Sequence, residues 1–234
     1  MSGAIEFLSF DDRSTACTAA AELLAARIRE ALDSAPRAQA SLVVSGGTTP
    51  GPCFDHLSGE ALDWSRVTVL PSDERWVPAT DPDSNERLIR RRLLRGRAET
   101  GRVLSFFREG VDAAQAPVHI EADLQQVARP FSATLLGMGE DGHFASLFPD
   151  FAGLPEALDP GNTAACVMVR TAGSPHLRIS LTLSALIHSV HTVLLIFGET
   201  KKTVFDAARA GGSAYPIEAF LRESGKPLTV IWAP

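Results

Sequence analysis

Short apolar runs alternate along this chain with longer stretches that carry apolar side chains on one helical face. Residues 40–44 (ASLVV), 66–70 (RVTVL), 129–136 (apolar and small from Phe131) and 190–197 (VHTVLLIF) have the character of strands covered on both sides. Residues 5–10, 102–107, 164–169, 178–183 and 227–232 read as further strands. The period predicts a first helix from Asp12 or Ser14 to Ser34, with Leu23, Leu24, Ile28 and Leu32 on its apolar face. Shorter helices are expected at 50–57, opened by Pro50 or Pro52, at 85–94 behind a Ser84 cap, and at 119–127. The last three are expected at 184–189, 199–209 and 216–223. The arginines of 85–94 read as a solvent face around Leu88, Ile89, Leu93 and Leu94, and residues 71–83, 110–118 and 151–162 read as loops. Strands alternating with helices, without an internal repeat or linker, predict one α/β domain over 1–234 with a mainly parallel sheet.

Right-handed crossovers put the loops that follow such strands on one edge, where α/β proteins bind ligands. Four of these loops carry useful chemistry. SGGTTP (45–50) sets Gly46, Gly47 and Thr48 before a helix start, an arrangement suited to an anion. Asp73, Glu74 and Arg75 follow the third strand, fenced by Pro71, Trp76 and Pro78. GMGEDGHFASLFP (137–149) has glycines at 137, 139 and 142, a density that marks positive φ or a close approach, with Asp141 and His143 among them. GETKK (198–202) places Lys201 in a first helical turn, beside N–H groups that have no partner within the helix. An imidazole can take a proton from water near neutral pH, and a cation can hold a phosphate or steady an oxyanion. Together they suit hydrolysis of a carbonyl compound without a metal or covalent intermediate. Either Asp141 orients His143 or both face the ligand. No GxSxG elbow or Walker A lysine motif is present.

Composition narrows the partners. The net charge is −6, and the one block of basic residues is Arg90-Arg91-Arg92 inside a helical pattern, so nucleic acid is not expected as a partner. Cys17, Cys53 and Cys166 are widely spaced and form no CxxC or Cys/His cluster, which predicts reduced thiols and no zinc site. No signal peptide and no apolar run of about 20 residues is seen, so a cytoplasmic protein with no membrane partner is expected. His119 reads as exposed, and His188 and His191 as structural or exposed. A monomer or weak dimer is expected.

SGGTTP, DERWVP with Ser84-Asn85, GMGEDGHFASLFP, RISLT (178–182) and GETK occur in this order over nearly the whole chain. The set resembles the glucosamine-6-phosphate isomerase/6-phosphogluconolactonase family, on its lactonase side. The resemblance implies a modified doubly wound, mainly parallel sheet flanked by helices, as in glucosamine-6-phosphate deaminases. It implies hydrolysis of a sugar-phosphate lactone, 6-phospho-D-glucono-1,5-lactone, without a cofactor. It makes His143 the general base, with Asp141 positioning it or the substrate, and Arg75 holding the substrate or the oxyanion. Lys201 would face the phosphate beside Gly46, Gly47 and Thr48, and Asp73 and Arg178 would bind substrate. The Phe144 to Pro149 tail and the arginine after Asp-Glu speak against a deaminase. No basic face or extra helix-turn-helix supports a non-catalytic sugar-phosphate sensor. Against the family pattern, 108–130 is short and poor in apolar residues, Ser132-Ala133-Thr134 stands where an acid is more usual, and no helix follows Trp232.

Overall fold

The computed structural model describes residues 4–234. Its strands are β1 (Ile5–Ser9), β2 (Ala40–Val44), β3 (Val67–Pro71), β4 (Asp73–Arg75), β5 (Arg102–Val103), β6 (Ala133–Leu136), β7 (Cys166–Val169), β8 (Arg178–Leu181), β9 (Thr192–Phe197) and β10 (Leu228–Ala233). The helices are α1 (Arg13–Asp33), α2 (Gly51–Leu57), α3 (Asn85–Leu88), α4 (Ala116–Leu124), α5 (Leu154–Ala157), α6 (Leu183–Leu186), α7 (Glu199–Ala210) and α8 (Pro216–Glu223). Seven strands form one parallel sheet in the order β1-β10-β9-β6-β2-β3-β5. From β2 the chain winds outward through β3 and β5, then returns to β6 on the other side. The crevice between β2 and β6 is therefore a topological switch point, where ligands of open α/β sheets bind.

Alternation along the central strand feeds both faces of the sheet. Leu42 and Val44 pack with Leu24 and Ile28 of α1 and Phe54 of α2. Val43 packs on the opposite side with Ile120 of α4, Phe205 of α7 and Phe220 of α8. Helix α1 starts where Asp12 accepts the Thr15 N–H at 2.8 Å, a cap that satisfies one of the helix's unpaired donors. Alanines 16, 20, 21 and 25 share its buried face with Leu24, Ile28 and Leu32, and Leu23 is only half-buried.

Several elements differ from the sequence expectation. Residues 73–75 form β4, which joins β8 and β7 in a separate antiparallel sheet. Three residues are too few for periodicity to register. The strand expected at 102–107 stops at Val103, because Phe106 turns into the core and the Ser105 hydroxyl bonds Glu86 at 2.5 Å. The helix expected at 85–94 is regular only to Leu88; Ile89–Leu93 is a π turn in which the Leu94 N–H reaches the Ile89 carbonyl at 2.9 Å. Of its arginines, Arg90 and Arg91 are exposed as expected, while Arg92 is half-buried and pairs with Asp55. His119 is half-buried rather than exposed.

The atypical segments have physical uses here. Ile120, Leu124 and Val127 anchor 108–130 to the core despite its low apolar content. Ser132 exchanges bonds with Ser41, its hydroxyl accepting the Ser41 N–H at 3.1 Å and its N–H donating to Ser41 Oγ at 3.3 Å. Thr134 Oγ1 meets Ser189 Oγ at 2.7 Å. Small hydroxyls thus satisfy polar groups where β6 enters the sheet. All three cysteines are buried and unpaired.

Leu42 is fully buried at the middle of the sheet. Leu42→Ala is expected to destabilise the protein by about 2–5 kcal/mol, read as a lower urea midpoint. An unchanged midpoint would contradict its place in the core.

Candidate active site

The loop after β6 folds back on itself. The Gly139 N–H donates to the His143 carbonyl at 2.9 Å, and the Gly142 N–H donates to the Gly139 carbonyl at 3.1 Å. Gly142 has φ +76, and a Cβ there would overlap Tyr215. A Cβ on Gly139 would overlap His143 Nδ1 and Asp141 Oδ1. These glycines let the acid and the imidazole come together. Asp141 Oδ1 lies 2.5 Å from His143 Nδ1 and accepts the His143 N–H at 3.2 Å. A carboxylate can only accept, so Nδ1 carries a proton, and in the neutral imidazole Nε2 is left as an acceptor. Although Gly137 to Gly142 has the G-x-G-x-x-G spacing of a dinucleotide turn, no helix follows it, so the context that motif requires is missing.

The Ser-Leu-Phe-Pro tail joins this loop to the small sheet. Ala145 takes φ 49, uncommon for a residue with a Cβ. Beyond it, Ser146 Oγ donates to Asp73 Oδ2 at 2.5 Å and the Ser146 N–H to Ser180 Oγ at 3.1 Å. The Phe148 ring lies 4.3 Å from the His143 ring centroid, and the Arg178 guanidinium lies 5.3 Å from the Phe148 centroid. Asp73 also accepts from Ser72 Oγ at 3.0 Å and has Arg178 Nη1 at 3.7 Å. Its carboxylate is thus engaged by protein groups at the cavity wall.

Arg75 and Arg178 stand opposite each other in the β4–β8 ladder. Like charges at facing positions repel, and an anion between them would relieve this. Arg75 Nη1 donates to the Asp83 carbonyl at 2.5 Å, while its buried Nε has no partner. Burial lowers the Arg178 pKa, with Asp73 acting against it.

Glu74, between Asp73 and Arg75, is named by the sequence pattern but given no role there. Its Oε1 accepts the N–H groups of Arg75 at 2.8 Å and Asn85 at 2.7 Å. Its Oε2 accepts the Glu86 N–H at 2.7 Å and the Ser84 hydroxyl at 3.1 Å. Burial pushes the carboxyl up to about 7, against the pull of those backbone N–H groups. Asn85 Nδ2 then donates to the Asp73 carbonyl at 2.7 Å, and its Oδ1 occupies the space a Cβ on Gly46 would need. Ser84-Asn85 followed by Glu86 was the visible signal: a helix start whose N–H groups needed an acceptor.

These loops enclose a cavity of about 270 Å³ at the switch point. His143, Arg75, Arg178, Lys201, Asp73, Gly46, Gly47 and Thr48 all line it, with Leu135, Leu136 and Leu195 as an apolar part of the wall. Asp141 stays outside the lining and reaches the cavity through His143. Lys201 sits in the first turn of α7, half-buried; desolvation lowers its pKa, and nearby Glu140 and Asp141 oppose that. Among the described residues no group of three or more His, Cys, Asp or Glu could hold a metal ion. His188 and His191 lie elsewhere, bonding the Ser184 carbonyl at 2.5 Å and Thr229 Oγ1 at 2.9 Å. Among the described residues no helix is long and apolar enough to cross a membrane.

An imidazole, a carboxylate and three cations at the switch point of a doubly wound sheet define an α/β protein whose site suits an anionic small molecule. The sequence pattern of the family described as glucosamine-6-phosphate isomerases/6-phosphogluconolactonase matches residues 11–232. A 6-phosphogluconolactonase of Pseudomonas aeruginosa is 42% identical over 213 residues, 90% of this chain and 87% of the relative. One from Mesorhizobium japonicum is 39% identical over 226 residues, 97% of this chain and 94% of the relative. The crystal structure of a 6-phosphogluconolactonase from Shewanella baltica matches with TM-score 0.93 at 37% identity, covering 100% of both chains. The chain belongs to the glucosamine-6-phosphate isomerase/6-phosphogluconolactonase family, and its fold is that family's.

Glu74→Gln keeps the shape of the side chain but turns one acceptor into an NH2 group facing donors. It is expected to cost about 1–3 kcal/mol in urea unfolding. Wild-type stability in this variant would show that the four bonds do not hold the loop.

Proposed function

We propose that the chain hydrolyses 6-phospho-D-glucono-1,5-lactone to 6-phospho-D-gluconate, a step of the oxidative pentose phosphate pathway. The relatives' names support the substrate. The observation that carries the chemistry is His143, fixed through Nδ1 by Asp141 with Nε2 left to accept a proton. In this reading Nε2 takes a proton from a water as its oxygen attacks the lactone carbonyl carbon. The carbonyl π electrons move onto oxygen, and a cation of the wall steadies that charge. When the intermediate collapses, the C–O bond to the ring oxygen breaks and the imidazolium returns its proton to that oxygen. The product acid then ionises to the carboxylate. Asp141 keeps the ring in one tautomer and stabilises the imidazolium that forms between the two transfers.

Lys201 and the Gly46-Gly47-Thr48 turn offer one anion site, and the facing Arg75 and Arg178 offer another. We assign the phosphate to Lys201 with the glycine turn, and the developing oxyanion or the substrate's oxygens to Arg75, with Arg178 beside it. A second reading reverses these roles. It draws on the repulsion between the two arginines, which a dianionic phosphate would relieve more than a partial charge would.

Freshly generated 6-phosphogluconolactone should disappear faster with the protein than in a protein-free blank, followed by acid release at constant pH. Equal rates would exclude the activity. Lys201→Ala should raise KM for the phosphorylated lactone at least about tenfold, the loss of one charge-assisted contact worth about 1.5–3 kcal/mol. It should leave the rate with unphosphorylated glucono-1,5-lactone nearly unchanged. Equal effects on the two substrates would move the phosphate to the arginine pair.

A further inference from the structure

A second groove, of about 580 Å³, opens beside α2 and the π turn, and shares no lining residue with the cavity described above. Arg87, Arg91, Arg92 and Arg95 line it, against the single carboxylate of Asp55. This concentration of guanidinium groups is unexpected in a chain of net charge −6. Asp55 is already committed: it pairs with Arg92, and with Arg95 at 2.9 Å. Its hydrogen bond to Arg92 holds the carboxyl below the usual range, so it is a resident counter-ion. Among the described residues the side chains of Arg87 and Arg91 make no hydrogen bond or ion pair. Arg87 closes the last turn of α3, Arg91 sits in the turn that follows, and Arg95 comes from extended backbone beyond it, so three separate stretches of chain aim guanidinium groups at one groove.

The backbone supplies an independent observation. Arg90, Arg91 and Arg92 sit in the π turn Ile89–Leu93. Such turns are rare and concentrate at functional sites. Neither proline nor glycine interrupts the helix there to account for it. The wider turn brings residues four and five apart to one side, which suits Arg91 and Arg92 following Arg87, and Arg95 joins them from the extended backbone after the turn. The groove also touches the machinery of the first site, since the Arg92 guanidinium fills the space a Cβ on Gly51 would need, at the first residue of α2. That helix begins directly after the glycine turn of the catalytic cavity.

The fork of a guanidinium matches phosphate oxygens two at a time. Two free forks one helical turn apart, flanked by two more shared with Asp55, fit neighbouring phosphates better than one isolated phosphate. We propose that this groove binds an anion carrying two or more linked phosphate groups, held by Arg87 and Arg91 and flanked by Arg92 and Arg95. Leu88 and Pro82 add apolar surface at the same groove, against which the rest of a nucleotide could pack.

Isothermal titration of the full chain with tripolyphosphate, and separately with ATP, both without magnesium, tests this. Saturating 6-phosphogluconate is added to both titrations to occupy the catalytic cavity. The wild type should bind at least one of the two. Arg87→Ala/Arg91→Ala should weaken that binding at least tenfold while the urea midpoint and the lactone-hydrolysis rate without added polyphosphate stay unchanged. Arg170→Ala/Arg209→Ala removes the same charge from exposed positions outside the groove and should leave the affinity as it was. Tighter binding of ATP than of tripolyphosphate would make the occupant a nucleotide; equal affinities would make it the phosphate chain alone. No binding by the wild type at millimolar concentration would overturn the proposal. So would equal weakening by the two double variants, which would mean diffuse attraction to surface charge.

Discussion

The buried carboxylate of Glu74 holds four donors at once, and the placement of the loops around the cavity depends on that junction. It ties β4 to the start of α3. Through Asn85 the tie continues to the Asp73 carbonyl and to Gly46 of the anion turn. Asp73 extends it through Ser146 to the loop that carries His143. The loops after β3 and β6 are therefore registered by buried hydrogen bonds, and the turn after β2 by the close approach of Asn85 to Gly46. Such a junction is demanding, because a buried acceptor left without its donors is costly. A half-satisfied version would let the cations and the imidazole drift apart, and misplacement by about 1 Å can cost a reaction about 100-fold.

The same junction explains why a short tail after the histidine matters. Ser146 and Phe148 look like ordinary loop residues in the sequence. In the structure Ser146 anchors the loop to Asp73, and Phe148 stands between the His143 ring and the Arg178 guanidinium. The left-handed Ala145 makes the turn that permits both.

Much of this was legible in the sequence, for identifiable reasons. Buried parallel strands announce themselves as apolar runs, so β2, β3, β9 and β10 are legible to within two residues, and the loops after β2, β3, β6 and β9 carry the residues that line the cavity. His143, Arg75, Arg178, Lys201 and the Gly46-Gly47-Thr48 turn all reach the cavity wall. What the sequence hid is tertiary. The three-residue strand β4 carries no period, so the antiparallel sheet that aligns Arg75 with Arg178 was invisible. The role of Glu74 was hidden because its partners lie about ten positions away, and that of Asp73 because Ser146 is 73 positions away. The solvent face expected for the arginines of 85–94 holds for Arg90 and Arg91, which are exposed; a π turn has no signature in hydropathy, so the groove that Arg87, Arg91 and Arg92 share was not visible.

The proposed hydrolysis requires His143 to activate water, with Asp141 fixing its tautomer. The most direct measurement is kcat for His143→Gln beside its affinity for 6-phosphogluconate by titration calorimetry. The variant is expected to bind product within a few-fold of wild type while kcat falls by about 10²–10⁴, the usual contribution of a positioned acid–base group. Retained turnover with intact binding would contradict the account and move the base to another residue of the cavity.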